Sequence, residues 1–322
     1  MIGRPAAPAG GQNRVALVLG SGGFRGPAHI GVLSRLRELR VPVHAMIGCS
    51  VGSLITAYYA AAGQSVEEML ESAFGTGVLA ILSHAIALRF GGRTPKMLAR
   101  FSDEVRVRLQ VLEGCDFRTL HHGIEQVGFL IHDQRRGERV FAVTGRERGF
   151  SLSEAVRASS RLPFLFPPLR KEVDGLEREL VDGALSAPSP VIHAVAAPVS
   201  ASHVIVVDLS GSRRRSKHSE LARWQRILRD RLVVLRPRLP RSVGLWGSGR
   251  RVRDWYEAGR RAVDAAALTP LRAWAAPGSI ASAGRTNLST EPERRDPPSR
   301  PGRRAPLAEP AARALPSDPR DA

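Results

Sequence analysis

Val15-Ala-Leu-Val-Leu19 is a five-residue run without a polar side chain, and it ends in Gly20-Ser-Gly-Gly-Phe-Arg-Gly26 followed by Pro27. A strand that is apolar on both faces must be covered on both, which is the condition of a central strand in a parallel sheet flanked by helices. Pro27 suits a first helical position, where its missing N–H has no partner to lose. Ile30, Leu33, Leu36 and Leu39 then recur at helical spacing as far as Arg40. Val43 to Ile47 reads as a second strand and Leu54 to Ala62 as a helix. Phe129 to Ile131, Arg139 to Val143, Glu179 to Val181 and His203 to Leu209 read as strands, and Ser151 to Ser160 as a short helix. This succession predicts a three-layer α/β/α fold around a central, mostly parallel sheet with right-handed crossovers.

The glycine loop after the first strand gathers backbone N–H groups in front of a helix dipole, an arrangement suited to an anion or a developing oxyanion. A dinucleotide-binding loop is the competing reading. It requires a carboxylate near the end of the second strand, and Val43-His-Ala-Met-Ile-Gly48 supplies none. Instead Gly48-Cys-Ser-Val-Gly52 sits at the strand-to-helix junction, where a G-x-S-x-G turn lifts a serine hydroxyl clear of the sheet. A plain structural turn with an incidental serine is the alternative. A nucleophilic serine needs a base. His193 falls in an apolar, helical stretch, His203 opens a strand, His218 lies in a basic segment, and His29 reads as packed inside the first helix. Asp182, ending a strand and followed by a glycine turn in Glu179-Leu-Val-Asp-Gly-Ala184, is the better candidate.

Four motifs now stand in order: the glycine loop through Leu33, Gly48-Cys-Ser-Val-Gly52, Ala158-Ser-Ser-Arg-Leu-Pro-Phe-Leu-Phe-Pro-Pro168 and Asp182-Gly-Ala184. Together they resemble the patatin-like phospholipases over roughly residues 14–209, with a weaker echo in Tyr256-Glu-Ala-Gly-Arg-Arg261. The resemblance implies a serine lipid acyl hydrolase of the carboxylic ester class, with Ser50 as nucleophile and Asp182 as general base. It also implies an oxyanion hole from the backbone of Gly22, Gly23, Arg25 and Gly26, with Gly48, Gly52, Gly183 and Ala184 as supporting motif positions. Neither cofactor nor metal is implied, and the substrate would be a phospholipid or related fatty ester. Ser21 and Phe24 depart from the pattern, since the family commonly has glycine and a small residue there. The segment after Asp182 also lacks an asparagine often found in the family. The alternative function is a catalytically weak module of the same family that binds membrane lipid or a protein partner.

Charge is the compositional anomaly of this 322-residue chain, with 48 Lys+Arg against 30 Asp+Glu for a net +18. Between Arg213 and Arg261, 16 basic residues face four acids, which places two-thirds of the excess in one segment. Leu221, Trp224, Ile227, Leu228, Leu232 and Leu235 run through it at near-helical spacing. The segment therefore reads as a basic helical end of the domain. It could dock on an anionic membrane surface or simply pack its apolar stripe on the core. No zinc spacing, RNP-type motif or aromatic cluster points to specific nucleic-acid binding. Val78 to Phe90 is nearly continuously apolar, but its 13 residues are too few to cross a bilayer. It reads equally as a lid or acyl-chain wall and as a buried helix. The ordered domain is expected over 14–268. Residues 1–13 and the Pro/Arg-rich residues 275–322, which carry no aromatic side chain, are expected to be disordered. Two cysteines and no secretory signal or membrane span fit a cytoplasmic protein, with peripheral membrane association open.

Overall fold

The computed structural model describes residues 13–75, 78–89, 96–210, 220–239 and 249–274, all within the first of two units into which the chain divides. The expectations for residues 1–12 and 275–322 lie outside the described residues. One eight-stranded sheet forms the middle layer. Its strands are β1 (Val15–Leu19), β2 (Ala45–Gly48), β3 (Gln126–Asp133), β4 (Glu138–Val143), β5 (Leu169–Val173), β6 (Leu176–Asp182), β7 (His203–Val207) and β8 (Leu232–Leu235). The order is β5-β6-β3-β2-β1-β7-β8, with β4 also paired to β3. The pairs from β3 through β2, β1 and β7 to β8 are parallel, and those of β4, β5 and β6 antiparallel.

Alternation along the central strands separates two cores. Val15, Leu17 and Leu19 of β1 join one cluster and Ala16 and Val18 the other. The thicker layer contains α1 (Pro27–Glu38), α2 (Val51–Thr56, continued as a π-helical turn over Ala57–Ala61), α3 (Val66–Gly75) and α6 (Leu152–Ser159). The long C-terminal helix α9 (Gly249–Trp274) lies against α1 in the same layer. On the other face α7 (Val191–Val195) and α8 (Glu220–Leu228) cover β1 and β7. The expected three-layer α/β/α fold is thus the one found. A helical pair, α4 (Val78–Arg89) and α5 (Lys96–Gln110), packs together between β2 and β3 in sequence. In α4, Ser83, Ala85 and Ala87 are buried, which favours the packed-helix reading for that part of the apolar stretch.

Three sequence readings are corrected. The helix expected from Leu54 begins at Val51, because the serine turn itself starts it. The domain runs on to Trp274, whose ring is buried. Most important, the basic segment is not one helix: Leu232 and Leu235, read as a helical stripe, belong to β8, paired in parallel with β7. Trp224 and Leu228 of α8 are buried in the sheet's second core with Leu221 packed beside them, so most of the apolar stripe of α8 faces inward, while Ile227 is exposed.

Candidate active site

β3 places the site. Gly128 and Phe129 pair with β2 on one edge and β4 on the other, whereas Ile131 to Asp133 pair with β6 and β4. β2 and β6 therefore occupy the same edge of β3, and because β6 runs antiparallel, the C-terminal ends of the two strands meet head to head. Ser50 follows β2 and Asp182 ends β6. The Ser50 hydroxyl donates to Asp182 Oδ2 at 2.6 Å, across 132 residues of chain.

Ser50 has φ +59 and ψ −126, a conformation disfavoured for a residue with a side chain and held here by its surroundings. Its N–H donates to Ser159 Oγ at 3.3 Å, and Ser159 in turn donates to the Leu130 carbonyl at 2.6 Å. The Ser53 hydroxyl donates to the Ser50 carbonyl at 2.5 Å. The two motif glycines are required by close approach. A Cβ on Gly52 would stand 2.0 Å from the Leu19 carbonyl oxygen, and one on Gly48 would stand 2.4 Å from Ser53 Cα.

Asp182 is 1 % exposed. Burial raises its carboxyl pKa to about 6, against the opposing hydrogen bonds from Ser50 and from the Ala184 N–H, the latter 2.9 Å from Oδ1. Its own N–H donates to the Arg161 carbonyl at 2.9 Å, tying β6 to the loop that follows α6. The two carboxylate oxygens thus have separate tasks: one is held by backbone, the other faces the serine.

The glycine loop sits beside this pair. Gly22 is extended, Gly23 has φ +55 with open space where a Cβ would be, and Gly26 leads into α1. Arg25 folds back, its Nε donating to the Gly22 carbonyl at 2.9 Å and its amide to the same oxygen at 3.3 Å. The Ser21 N–H donates to the Pro188 carbonyl at 2.8 Å, so the loop is braced by the segment after Asp182. His29 is wholly buried beneath the loop, with Nε2 2.8 Å from the Gly20 carbonyl. Burial depresses its pKa to about 4, so the ring is neutral and Nε2 is the donor.

None of the described histidines reaches Ser50. His193 stacks on Phe141 at 4.2 Å on the other face of the sheet, and His203 opens β7 at the opposite end from the serine. His218 lies outside the described residues. Among the described residues no cluster suited to a metal ion occurs. Nothing in the sequence marks Ser159 or the Arg161 carbonyl as parts of the site. Both lie in the Ala158–Pro168 motif, whose presence could be read but whose contacts could not.

A serine at a strained strand-to-helix turn, hydrogen-bonded to a buried carboxylate and flanked by a glycine loop, defines an α/β protein with a serine–aspartate site. A family model described as patatin-like phospholipase matches residues 17–195, and the chain belongs to that family. It is 33% identical over 204 residues to an uncharacterized NTE family protein of Mycobacterium bovis, covering 62% of this chain and 50% of that one. It is 29% identical over 187 residues to lysophospholipase NTE1 of Cryptococcus neoformans, covering 55% of this chain and 10% of that one. The chain thus spans about half the length of the mycobacterial relative. The crystal structure of VipD from Legionella pneumophila aligns with a TM-score of 0.46 and 11% identity, over 79% of this chain and 67% of that one.

Proposed function

We propose that this protein is a serine lipid acyl hydrolase, cleaving a phospholipid or related fatty ester with Ser50 as nucleophile and Asp182 as its base. The observation that carries the proposal is the 2.6 Å hydrogen bond between them at a strained turn. Asp182 takes the Ser50 proton as the oxygen attacks the ester carbonyl, forming a tetrahedral intermediate. N–H groups of the glycine loop, chiefly those of Gly22 and Gly23, receive the developing negative charge. The Arg25 amide is turned to the Gly22 carbonyl, so Arg25 and Gly26 serve more by shaping the loop. One such donor is worth roughly 3–4 kcal/mol in a well-studied protease. Asp182 then returns the proton to the leaving alcohol, and water activated by the same carboxylate releases the fatty acid from the acyl-enzyme.

A carboxylate replaces histidine here because burial moves its pKa to about 6, close enough to neutrality to accept and return a proton. The NTE1 relative is named a lysophospholipase, which supports a lipid substrate for this chain as well. Turnover of a short-chain nitrophenyl ester should be lost by about 10³-fold or more in Ser50→Ala and in Asp182→Asn. Equal rates in all three proteins would leave the catalytically weak lipid- or partner-binding module as the better account.

A further inference from the structure

Phe164 is 95 % exposed and has φ +69. A bulky side chain rarely adopts that backbone conformation, and a loop that only needed to turn would place glycine there. The loop is nonetheless firmly built. The Phe166 N–H donates to the Leu162 carbonyl at 3.0 Å, Arg161 Nε donates to the Pro167 carbonyl, and the Arg161 carbonyl holds the Asp182 N–H. Pro163, Pro167 and Pro168 stiffen it further. Two other loops at the same end of the sheet also expose apolar side chains. Phe24 in the glycine loop is 39 % exposed, and Leu185, just after Asp182, is 57 % exposed. Beyond the overhanging end of β3, Arg135 and Arg136 are exposed on the turn into β4. A groove of about 580 Å³ beside that turn is lined by Gln134, Phe166, Pro168 and Val181.

We propose that this end of the sheet is the membrane-docking face, with Phe164 inserting among the acyl chains of a lipid bilayer and Arg135 and Arg136 at the level of the phosphates. The inference rests on the reading of Ser50 and Asp182 as a lipid-cleaving pair, since it brings that pair to the lipid surface. A fluid apolar phase accepts side chains from three separate loops without a matching pocket, which a folded partner would have to supply. Docking is then led by apolar insertion, not by the basic segment, and the arginines add a weaker, salt-screened attraction.

Sedimentation of the full chain with phosphatidylcholine vesicles made of ether-linked lipids, which an ester hydrolase cannot cleave, reads docking apart from chemistry. The parent protein should bind these neutral vesicles and keep binding at about 0.5 M salt, where surface charges are screened within a few ångströms. Phe164→Gly, which relieves the backbone strain and so should unfold at or above the parent's temperature, should bind about tenfold or more weakly. Phe164→Trp should retain binding. Equal binding by Phe164→Gly, no binding of the parent to neutral vesicles, or binding to anionic vesicles alone that vanishes in salt would each overturn the proposal. Vesicle binding without ester turnover would instead defeat the hydrolase reading and leave docking intact.

Discussion

At the scale of single residues, the role proposed for Asp182 is one that usually falls to histidine, and its cost would lie in the burial of the carboxyl. Burial makes the ionised form expensive, so the folded state holds the proton more tightly than the unfolded chain does. The carboxyl's contribution to stability is therefore fully present below about pH 4 and is lost as pH rises through about 6. At about 1.36 kcal/mol per pKa unit the loss approaches 3 kcal/mol, of which replacement by asparagine should recover about 2 after forfeiting one hydrogen bond. Asp182→Asn is thus expected to be inactive yet more stable than the parent at pH 8, with no gain at pH 4, as urea midpoints at the two pH values would register. Activity should follow the opposite course. The base must be ionised, so kcat/KM for a soluble neutral ester should fall with decreasing pH through an ionisation near 6, and a profile flat down to pH 4 would contradict this role.

At the scale of elements, α1 and α9 pack with their backbones in close approach. A Cβ on Gly31 would stand 1.9 Å from the Tyr256 carbonyl oxygen, and one on Gly259 would stand 2.1 Å from the Ala28 carbonyl oxygen. Each glycine lets the other helix's backbone approach. Around them Tyr256 Oη donates to Ser34 Oγ at 2.9 Å, and Arg260 pairs with Glu38. Gly259→Ala should therefore lower stability by about 1–3 kcal/mol in chemical denaturation. The sequence signalled this crossing only as a family echo in Tyr256 to Arg261. Other elements were legible in proportion to how local their signal was. β1, α1 and both glycine turns could be read because their apolar periods and turn residues lie within a few positions. β5, Leu169-Arg-Lys-Glu-Val173, gives no strand signal because an exposed outer strand carries more charge than apolar surface. β8 reads as helix in the sequence because Leu232 and Leu235 continue an i, i+3 spacing begun in α8, and a four-residue apolar run cannot declare its own period. The site's partners were readable, but their meeting was not: that depends on β6 butting against the end of β2, which no local pattern encodes.

At the scale of the whole molecule, the family match ends at residue 195, yet the fold does not. β7 and β8 supply the neighbours on one side of β1, and α9 covers α1 with Trp255, Val263 and Leu271 in the core. A fragment of residues 13–195 would leave β1 unpaired along one edge and a helix layer uncovered. It should show no cooperative thermal transition and should bind a hydrophobic dye, whereas residues 13–274 should melt cooperatively. The net charge takes a new place at this scale too. The described part of the basic segment is built into the sheet and the α9 layer, so its arginines decorate a packed end of the domain, and Arg236 and Arg260 are paired with Asp208 and Glu38.

The position of β1 in the sheet also bears on how the chain is made. Val15 to Leu19 pairs in register with His203 to Val207, and the Gly20 N–H that begins the glycine loop donates to the Val207 carbonyl. A ribosome adding about 5–20 residues per second needs roughly 10–40 s to pass from one strand to the other. During that interval a wholly apolar central strand has an open edge, and the loop beside Ser50 lacks its anchor. A nascent chain of this sequence should therefore emerge aggregation-prone, and its glycine loop gains this anchor only when β7 has left the tunnel.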